Sequence, residues 1–522
     1  MLRTIKCAAM RFTRCFRRLA VGLTSPQVTP TVPAPVTGNT HAHIKVPARI
    51  YKGVGVDTIA LNLSVPVAAE TDVLVVGGGP AGIAAAIASA RTGARTLLVE
   101  RYGFLGGNAT ASLVGPFMSS YSDDGEEQLV VGIFDEIVRR MQAVGGAMHP
   151  GDVRSGSAEA GFYLHGHDHV TPFDPEALKT VAAEMIEEAG GKILLHSFFV
   201  QPVMGGEDRV DAVIVANKSG LQALRAETVV DCSADADVAA RAGVPFSVGR
   251  DSDGLMQPMT MFFRVANVDD AAVEAYVDAH PEERGTLFKS LVDAARERGE
   301  WPIPREKIGI YRTPQAGTWR VNTSRIQGVD GTKVEDLTRA EIEGRKQVHI
   351  IMRFFREHLP GFANATLMDT ATQIGVRETR HIHGRYTLTA EDLTSGRHFP
   401  DVIARYAYPM DIHSPTGVSG YFSETGKTAN SYEIPFGALV PQKITNMLIA
   451  GRNLSATHEA HAAVRVMPAA FAMGQAAGTA AALGVEHHTA PGDVPIDLLQ
   501  CTLLRAGVNL GPEVAPALAP TK

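Results

Sequence analysis

The run Gly77-Gly78-Gly79-Pro80-Ala81-Gly82 constrains the chain more than any other stretch. It fits G-x-G-x-x-G and sits between two different periodicities. Asp72 to Val76 is apolar after its first residue, as a parallel strand buried on both faces requires. Ile83 to Thr92 is rich in Ala and reads as a helix stopped by Gly93, and Arg95 to Glu100 reads as the next strand. Strand, tight turn, helix and strand in this order make the opening of a dinucleotide-binding βαβ unit. The first glycine permits the turn. The second removes a Cβ that would block a pyrophosphate, and the third lets the helix pack against the strand. The helix start offers unpaired N–H groups and the positive end of its dipole to phosphates. Glu100 stands where an acid accepts ribose hydroxyls. Gly77, Gly79, Pro80, Ala81, Gly82 and Glu100 are therefore expected to hold a dinucleotide.

Two later stretches favour FAD over a nicotinamide dinucleotide. Arg101-Tyr102-Gly103-Phe104-Leu105-Gly106-Gly107-Asn108 follows Glu100 at once, and a second glycine pair there suits a ligand that continues past its ribose. Arg101, Gly106, Gly107 and Asn108 join the expected contacts. Asn446 to Arg452 then reads as a strand running into a loop, and Met467-Pro468 opens a helix of small residues that includes Gly474 and Gly478. The start of that helix aims its dipole at the electron-rich pyrimidine end of a reduced flavin. This adds Gly451, Arg452 and Met467. An NAD(P)-dependent dehydrogenase, the competing reading, has no use for the late segment.

The remaining pattern places this site in an α/β chain. Asp174 and Pro175 form an N-cap and first helical position, and Gly190-Gly191 ends that helix before a strand from Lys192. Lys218-Ser219-Gly220 reads as a hairpin turn, followed by strands at Leu221 to Arg225 and Glu227 to Cys232. From about Gly249 to Ser431 aromatics and charged helices concentrate, and Thr338-Arg339-Ala340-Glu341 reads as a capping box opening a helix that runs to about Leu359. The expected architecture is a discontinuous Rossmann-like FAD-binding domain, 69–248 and 432–486, with an inserted α+β substrate or cap domain at 249–431. A C-terminal tail, 487–522, follows. Residues 1–68 are expected to be a disordered basic extension, because residues 1–56 carry nine Lys or Arg and no Asp or Glu. Such a leader fits a cytoplasmic protein, or a mitochondrial one if the source is eukaryotic.

Composition narrows the function classes. The net charge of −7 gives no electrostatic footprint for nucleic acid, and no apolar run reaches the length of a membrane span. Cys7, Cys15, Cys232 and Cys501 contain no C-x-x-C pair, which excludes a disulfide reductase motif and a cysteine zinc site. His165, His167 and His169 alternate as H-x-H-x-H without a supporting Cys or carboxylate pattern, so they read as a polar loop, and no metal centre is expected.

Several segments together resemble a known family, the bacterial FAD-dependent oxidoreductases of the glutathione-reductase-like superfamily. More distantly the chain is similar to the fumarate reductase and succinate dehydrogenase flavoproteins. The resemblance covers about residues 70 to 485. It rests on VVGGGPAGIAAAIASARTGARTLLVERYGFLGGNAT, FDPEALK, VVDCSADADVAARAGVPF, QIGVRETRHIHGRY, YPMDIH and NMLIAGRNLSATHEAHAAVRVMPAAFAMGQAAGTAAAL. It implies an FAD enzyme that moves a hydride between flavin N5 and a small organic substrate: an alcohol, an amine or a C–C bond. Oxygen, a quinone or a protein carrier would accept the electrons. It also implies that Asp235 touches the cofactor, although Cys232-Ser233-Ala234-Asp235 stands where many relatives carry Ala-Thr-Gly-Asp. Near the flavin ring it points to His458 as a proton donor or acceptor, or as a histidine that caps the helix or binds a flavin oxygen. Arg377, Arg380 and Arg465 could be carboxylate clamps, or members of ion pairs with Glu378 or Glu459. His413 could border the substrate or be structural. A flavoprotein acting in RNA modification remains an alternative that the acidic charge disfavours. Two tryptophans, Trp301 and Trp319, do not make the tryptophan-rich pattern of flavin halogenases.

Overall fold

In the computed structural model residues 62–417, 420–422 and 428–514 are described. The expected basic extension lies outside them up to residue 61. The strand β1, Val67–Val76, ends in four buried apolar residues and leads through the glycine turn into helix α1, Pro80–Arg91. β2 is Thr96–Val99, β3 Lys192–Leu194, β4 Phe198–Met204, β5 Val210–Asn217 and β6 Gly220–Asp231. The main sheet runs β3-β2-β1-β6-β5-β4. β3, β2, β1 and β6 are parallel, whereas β4 and β5 return antiparallel.

The two short strands expected around Ala223 and Val229 are one. β6 is continuous because one edge of a single long strand serves two neighbours, while its other edge pairs with β1. Its first half pairs with β5 across the Lys218-Ser219 turn, and its last three residues pair in parallel with the strand Met447–Ile449. The late segment thereby returns to the sheet beside the glycine turn.

The helix Met467–Glu486 lies against α1. A Cβ on Gly474 would come 2.1 Å from Ala81 O and one on Gly478 2.2 Å from Ala85 O, so only glycine permits this approach. Small residues in α1 supply the other half of the seam, and alanine keeps both helices inexpensive to form. Gln475, the polar break in this apolar run, is buried and accepts a hydrogen bond from Ile133 N, satisfying the first turn of helix Ile133–Ala143.

A second sheet is antiparallel, in the order Thr366–Thr370, Phe263–Ala266, Trp319–Val321, Ile310–Arg312. It shares a second hydrophobic core with the helix Val334–His358. That helix begins four residues before the expected capping box. Glu335 and Asp336 provide the acidic first turn, Asp336 accepts from Asp330 N, and Thr338 lies inside the helix, donating to Val334 O. Within 249–431 the second core draws on 259–376, whereas Leu388, Phe399, Ile403, Tyr406 and Tyr408 pack into the first core. Beyond residue 486 the chain also contains a helix, Ile496–Arg505, which buries Leu499 and Leu503 in the first core. Among the described residues no single helix is long and apolar enough to cross a membrane.

Candidate active site

The glycine turn owes its shape to close approaches on three sides. Gly77 has φ +104°, and a Cβ there would lie 2.4 Å from Cys232 O; one on Gly82 would lie 1.8 Å from Gly77 O. At Gly79 a Cβ would meet nothing nearer than Gly107 Cα at 3.9 Å, so this glycine faces open space. Gly106 N donates to Gly78 O at 2.8 Å, which folds the second glycine pair onto the first turn. Glu100 accepts from Gly78 N at 2.7 Å and Tyr102 N at 2.9 Å, fixing its carboxylate at the end of β2. Ala234, where many relatives carry glycine, has φ +69°: the left-handed conformation is kept without the glycine. Asp235 accepts from Thr379 Oγ1 at 2.8 Å and pairs with Arg452 at 2.5 Å.

These residues border a cleft of about 140 Å³ lined by Gly77, Gly79, Pro80, Ala81, Glu100, Arg101, Gly107, Asn108, Asp235, Gly451, Arg452 and Met467. Gly82 and Gly106 shape it from behind. A second cavity, of about 300 Å³, shares Asn108, Arg452, Arg465 and Met467 with the cleft. One ligand can therefore lie along the glycine turn and present its far end to the second cavity.

Charge distinguishes that second cavity. Arg305, Lys307, Arg325, Arg377 and Arg465 face it, against the carboxylates of Asp411 and Glu306. Arg377 donates to Pro258 O, Thr260 Oγ1 and, at 3.5 Å, Asn322 Oδ1, all uncharged. Burial, then Arg465 and Arg305, press its pKa well below that of an ordinary guanidinium. Burial and Arg305 lower Arg325 to about 10. Arg465 reaches Asp411 Oδ2 at 3.3 Å, and its Nε has no hydrogen-bond partner among the described residues. Burial opposes the charge on Asp411, but His413, Arg465 and Arg377 outweigh it and hold the carboxyl below the usual range. Neither of the ion pairs proposed for the arginines, with Glu378 or Glu459, forms at Arg377 or Arg465.

His413 bonds Asp411 Oδ2 through Nε2 at 3.1 Å. Burial and Arg377 lower its pKa to about 3, so it is neutral at physiological pH. With Nε2–H given to an ionised carboxylate, Nδ1 is left as the lone pair. The opposite wall is aromatic. His167 stacks on Tyr163 at 4.3 Å, Tyr311 follows at 6.1 Å, and Lys307 lies 4.8 Å from the Tyr163 ring centre. Burial holds His167 down to about 4 and raises the Tyr311 hydroxyl well above its usual value.

The chain matches the family described as FAD dependent oxidoreductase over residues 72–503. The chain belongs to this family. Its cofactor is FAD and it is an enzyme. The glycine cradle, with open space only at Gly79, fits that cofactor. A thiamine thiazole synthase of Desulfosudis oleivorans is 28% identical over 175 residues, 32% of this chain; the chain spans 57% of that relative. Solved structures similar in fold include a geranylgeranyl bacteriochlorophyll reductase-like protein from Thermoplasma acidophilum, at TM-score 0.38 and 12% identity over 86% of this chain and 98% of that one. A p-nitrophenol 4-monooxygenase from Pseudomonas putida gives 0.41 and 12% over 86% and 92%. A myxobacterial chondrochloren halogenase gives 0.42 and 14% over 84% and 79%.

In this FAD dependent oxidoreductase Arg377, Arg465 and His413 meet in one cavity. His458 lines neither cavity. It is buried, with Nδ1 2.7 Å from Glu378 Oε1. Arg380 turns away to Asp235 O and Asp237. The H-x-H-x-H histidines diverge: His165 is exposed, His167 enters the cavity wall, and His169 stacks on Tyr121 and bonds Pro150 O. Arg305, Lys307, Tyr311, Arg325, Tyr408 and Asp411 also line the cavity, and none was among the candidates. Their positions follow no local spacing; Tyr311 comes from the second sheet, whereas Tyr408 packs in the first core.

Proposed function

We propose that the enzyme transfers a hydride between FAD and an anionic organic substrate, with a carboxylate or phosphate group held by Arg377, Arg465 and Arg325. The observation that carries this reading is the excess of cationic side chains around a cavity that shares Asn108, Arg452, Arg465 and Met467 with the dinucleotide cleft. Burying the Arg377 guanidinium among uncharged acceptors is costly, and an anion that accepts its N–H bonds removes that cost. The cavity volume lies at the low end for small-molecule sites, which suits a compact acid.

FAD supplies the hydride donor or acceptor. The chain's own residues bind, orient and handle protons. Arg377 and Arg465 fix the anionic end. Tyr311 retains its proton at neutral pH and is a hydrogen-bond donor, and the Nδ1 lone pair of His413 accepts. The aromatic wall of Tyr163, His167 and Tyr311 covers the apolar part of the substrate. Oxygen, a quinone or a protein carrier completes the electron balance.

The test is anaerobic bleaching of the purified flavoprotein by matched pairs of hydroxy, amino and saturated acids and their amides or esters. For the reverse direction, the chemically reduced enzyme is mixed with unsaturated or oxo acids. Acids should react and their neutral partners should not. Equal rates for acid and amide would sink the proposal.

A further inference from the structure

Behind the dinucleotide cleft lies a buried cluster that the redox reaction does not use. Glu378 and His381 flank the start of strand Arg380–Ile382, and His461 lies on the helix His458–Val464. Their ligand-capable atoms lie within 4.8 Å of one another, and all three residues are buried. Their separation in sequence hides the grouping.

Three observations point to what the cluster can hold. First, His381 Nε2 and His461 Nδ1 have no hydrogen-bond partner among the described residues, although both rings are buried. His381 Nε2 stands 3.1 Å from Glu378 Oε1 but is not aligned to donate to it. Two ligands of one ion, each about 2.1 Å from the metal, stand about 3.0–3.5 Å apart. Second, the other atoms of two of the groups are already fixed. His461 Nε2 donates to Arg452 O at 2.8 Å, which leaves Nδ1 as the lone pair. Glu378 Oε2 accepts from Gln257 N at 2.9 Å. Metal-binding imidazoles and carboxylates are held by such outer bonds. Third, Glu378 is a fully buried carboxylate with no Arg or Lys bonded to it among the described residues. Its partners are Gln257 N, His458 and His381.

We propose that Glu378, His381 and His461 bind a divalent first-row metal ion, zinc or ferrous iron, as two imidazoles and one carboxylate. His458 orients the carboxylate through its Nδ1–H. Imidazole and carboxylate donors suit these ions. The ion fastens the segment carrying Arg377 and Thr379 to the helix that follows the Gly451-Arg452 loop. It thereby holds Arg452 on Asp235 and positions Arg377 at the substrate cavity.

Mass-spectrometric metal analysis of the flavin-loaded protein tests this, both as purified and after chelation and reloading with zinc or, anaerobically, ferrous iron. About one ion per chain is expected, and the element retained identifies the metal. Chelation should lower the melting temperature, and reloading should restore it. H381A and H461A should lose about tenfold or more of the metal, while H398A, exposed and bonded to Glu433, should keep it. Should the first two variants not fold, competition for zinc between the chelated wild-type protein and a chromophoric chelator still decides the matter. Metal content below about a tenth of an ion per chain after reloading, with flavin retained, would overturn the proposal.

Discussion

Replacing Arg377 by methionine separates substrate recognition from architecture. The Nη1 group of Arg377 is committed to Pro258 O and Thr260 Oγ1, whereas Nη2 has only the 3.5 Å contact to Asn322 and is available to an anion. A hydrogen bond to a charged group contributes about 1.5–3 kcal/mol. Loss of a paired contact to a carboxylate therefore costs about 3 kcal/mol, or about 100-fold in the apparent second-order rate constant. Stability should respond differently. The variant leaves two acceptors without a partner, at about 1 kcal/mol each. It also removes a buried cation that Arg465 and Arg305 repel, and methionine retains much of the aliphatic stem. These effects oppose, so the melting temperature should move by no more than a few degrees. The assay is stopped-flow flavin reduction under anaerobic conditions against the concentration of the most reactive acid, paired with a thermal melt. An R377M enzyme that reacts at the wild-type rate would refute the clamp. A variant that loses flavin and melts far lower would show that Arg377 serves the fold.

Three further outcomes follow from the same geometry. G79V should fold, because its Cβ meets only Gly107 Cα at 3.9 Å, but should purify without colour because the side chain fills the cleft; full flavin retention would contradict the assigned cradle. G478V places its Cβ 2.2 Å from Ala85 O and should cost about 3 kcal/mol or more by overpacking the helix seam, as read by denaturant unfolding; wild-type stability would show that the seam yields. His167 and His413 have folded pKa values of about 4 and about 3 against 6.5 unfolded, so below 6.5 the unfolded chain binds protons that the folded one does not. Stability should be complete above that pH and fall towards pH 4, by up to about 1.4 kcal/mol per pH unit for each group, with a shallower fall in H167Q. A melting temperature flat across that window would refute the buried neutral histidines.

The adenine and pyrophosphate end of the site is legible because its determinants are local. Gly77 to Gly82, Glu100 and Gly106-Gly107 occupy one short stretch, and each residue type answers a steric or hydrogen-bonding demand of its neighbours. The seam between α1 and Met467–Glu486 was half legible. Gly474 and Gly478 stood out, but as a flavin-facing helix; their closest contacts are Ala81 and Ala85. The misplaced start of helix Val334–His358 has the opposite origin. Thr338 and Glu341 satisfy the capping pattern, yet Glu335 and Asp336 already serve the first turn, and tertiary packing extends the helix past the local signal.

The substrate end depends on convergence rather than sequence spacing. Arg305, Arg325, Arg377, Asp411 and Arg465 reach one cavity from five separate segments, so each alone resembles any partly buried charge. Sequence proximity was misleading at His458, which lies seven residues before Arg465 but faces Glu378 behind the cleft. The loop Gly451-Arg452 connects the two sides. Arg452 lines both cavities and pairs with Asp235, while its carbonyl accepts from His461. A change behind the cleft therefore has a short covalent and hydrogen-bonded route to the cofactor and the substrate. It follows that H461A should weaken flavin retention and acid binding together, whereas R377M should weaken acid binding alone. Measuring both affinities in both variants separates a shared scaffold from a local clamp, and equal losses of flavin in the two would dissolve that distinction.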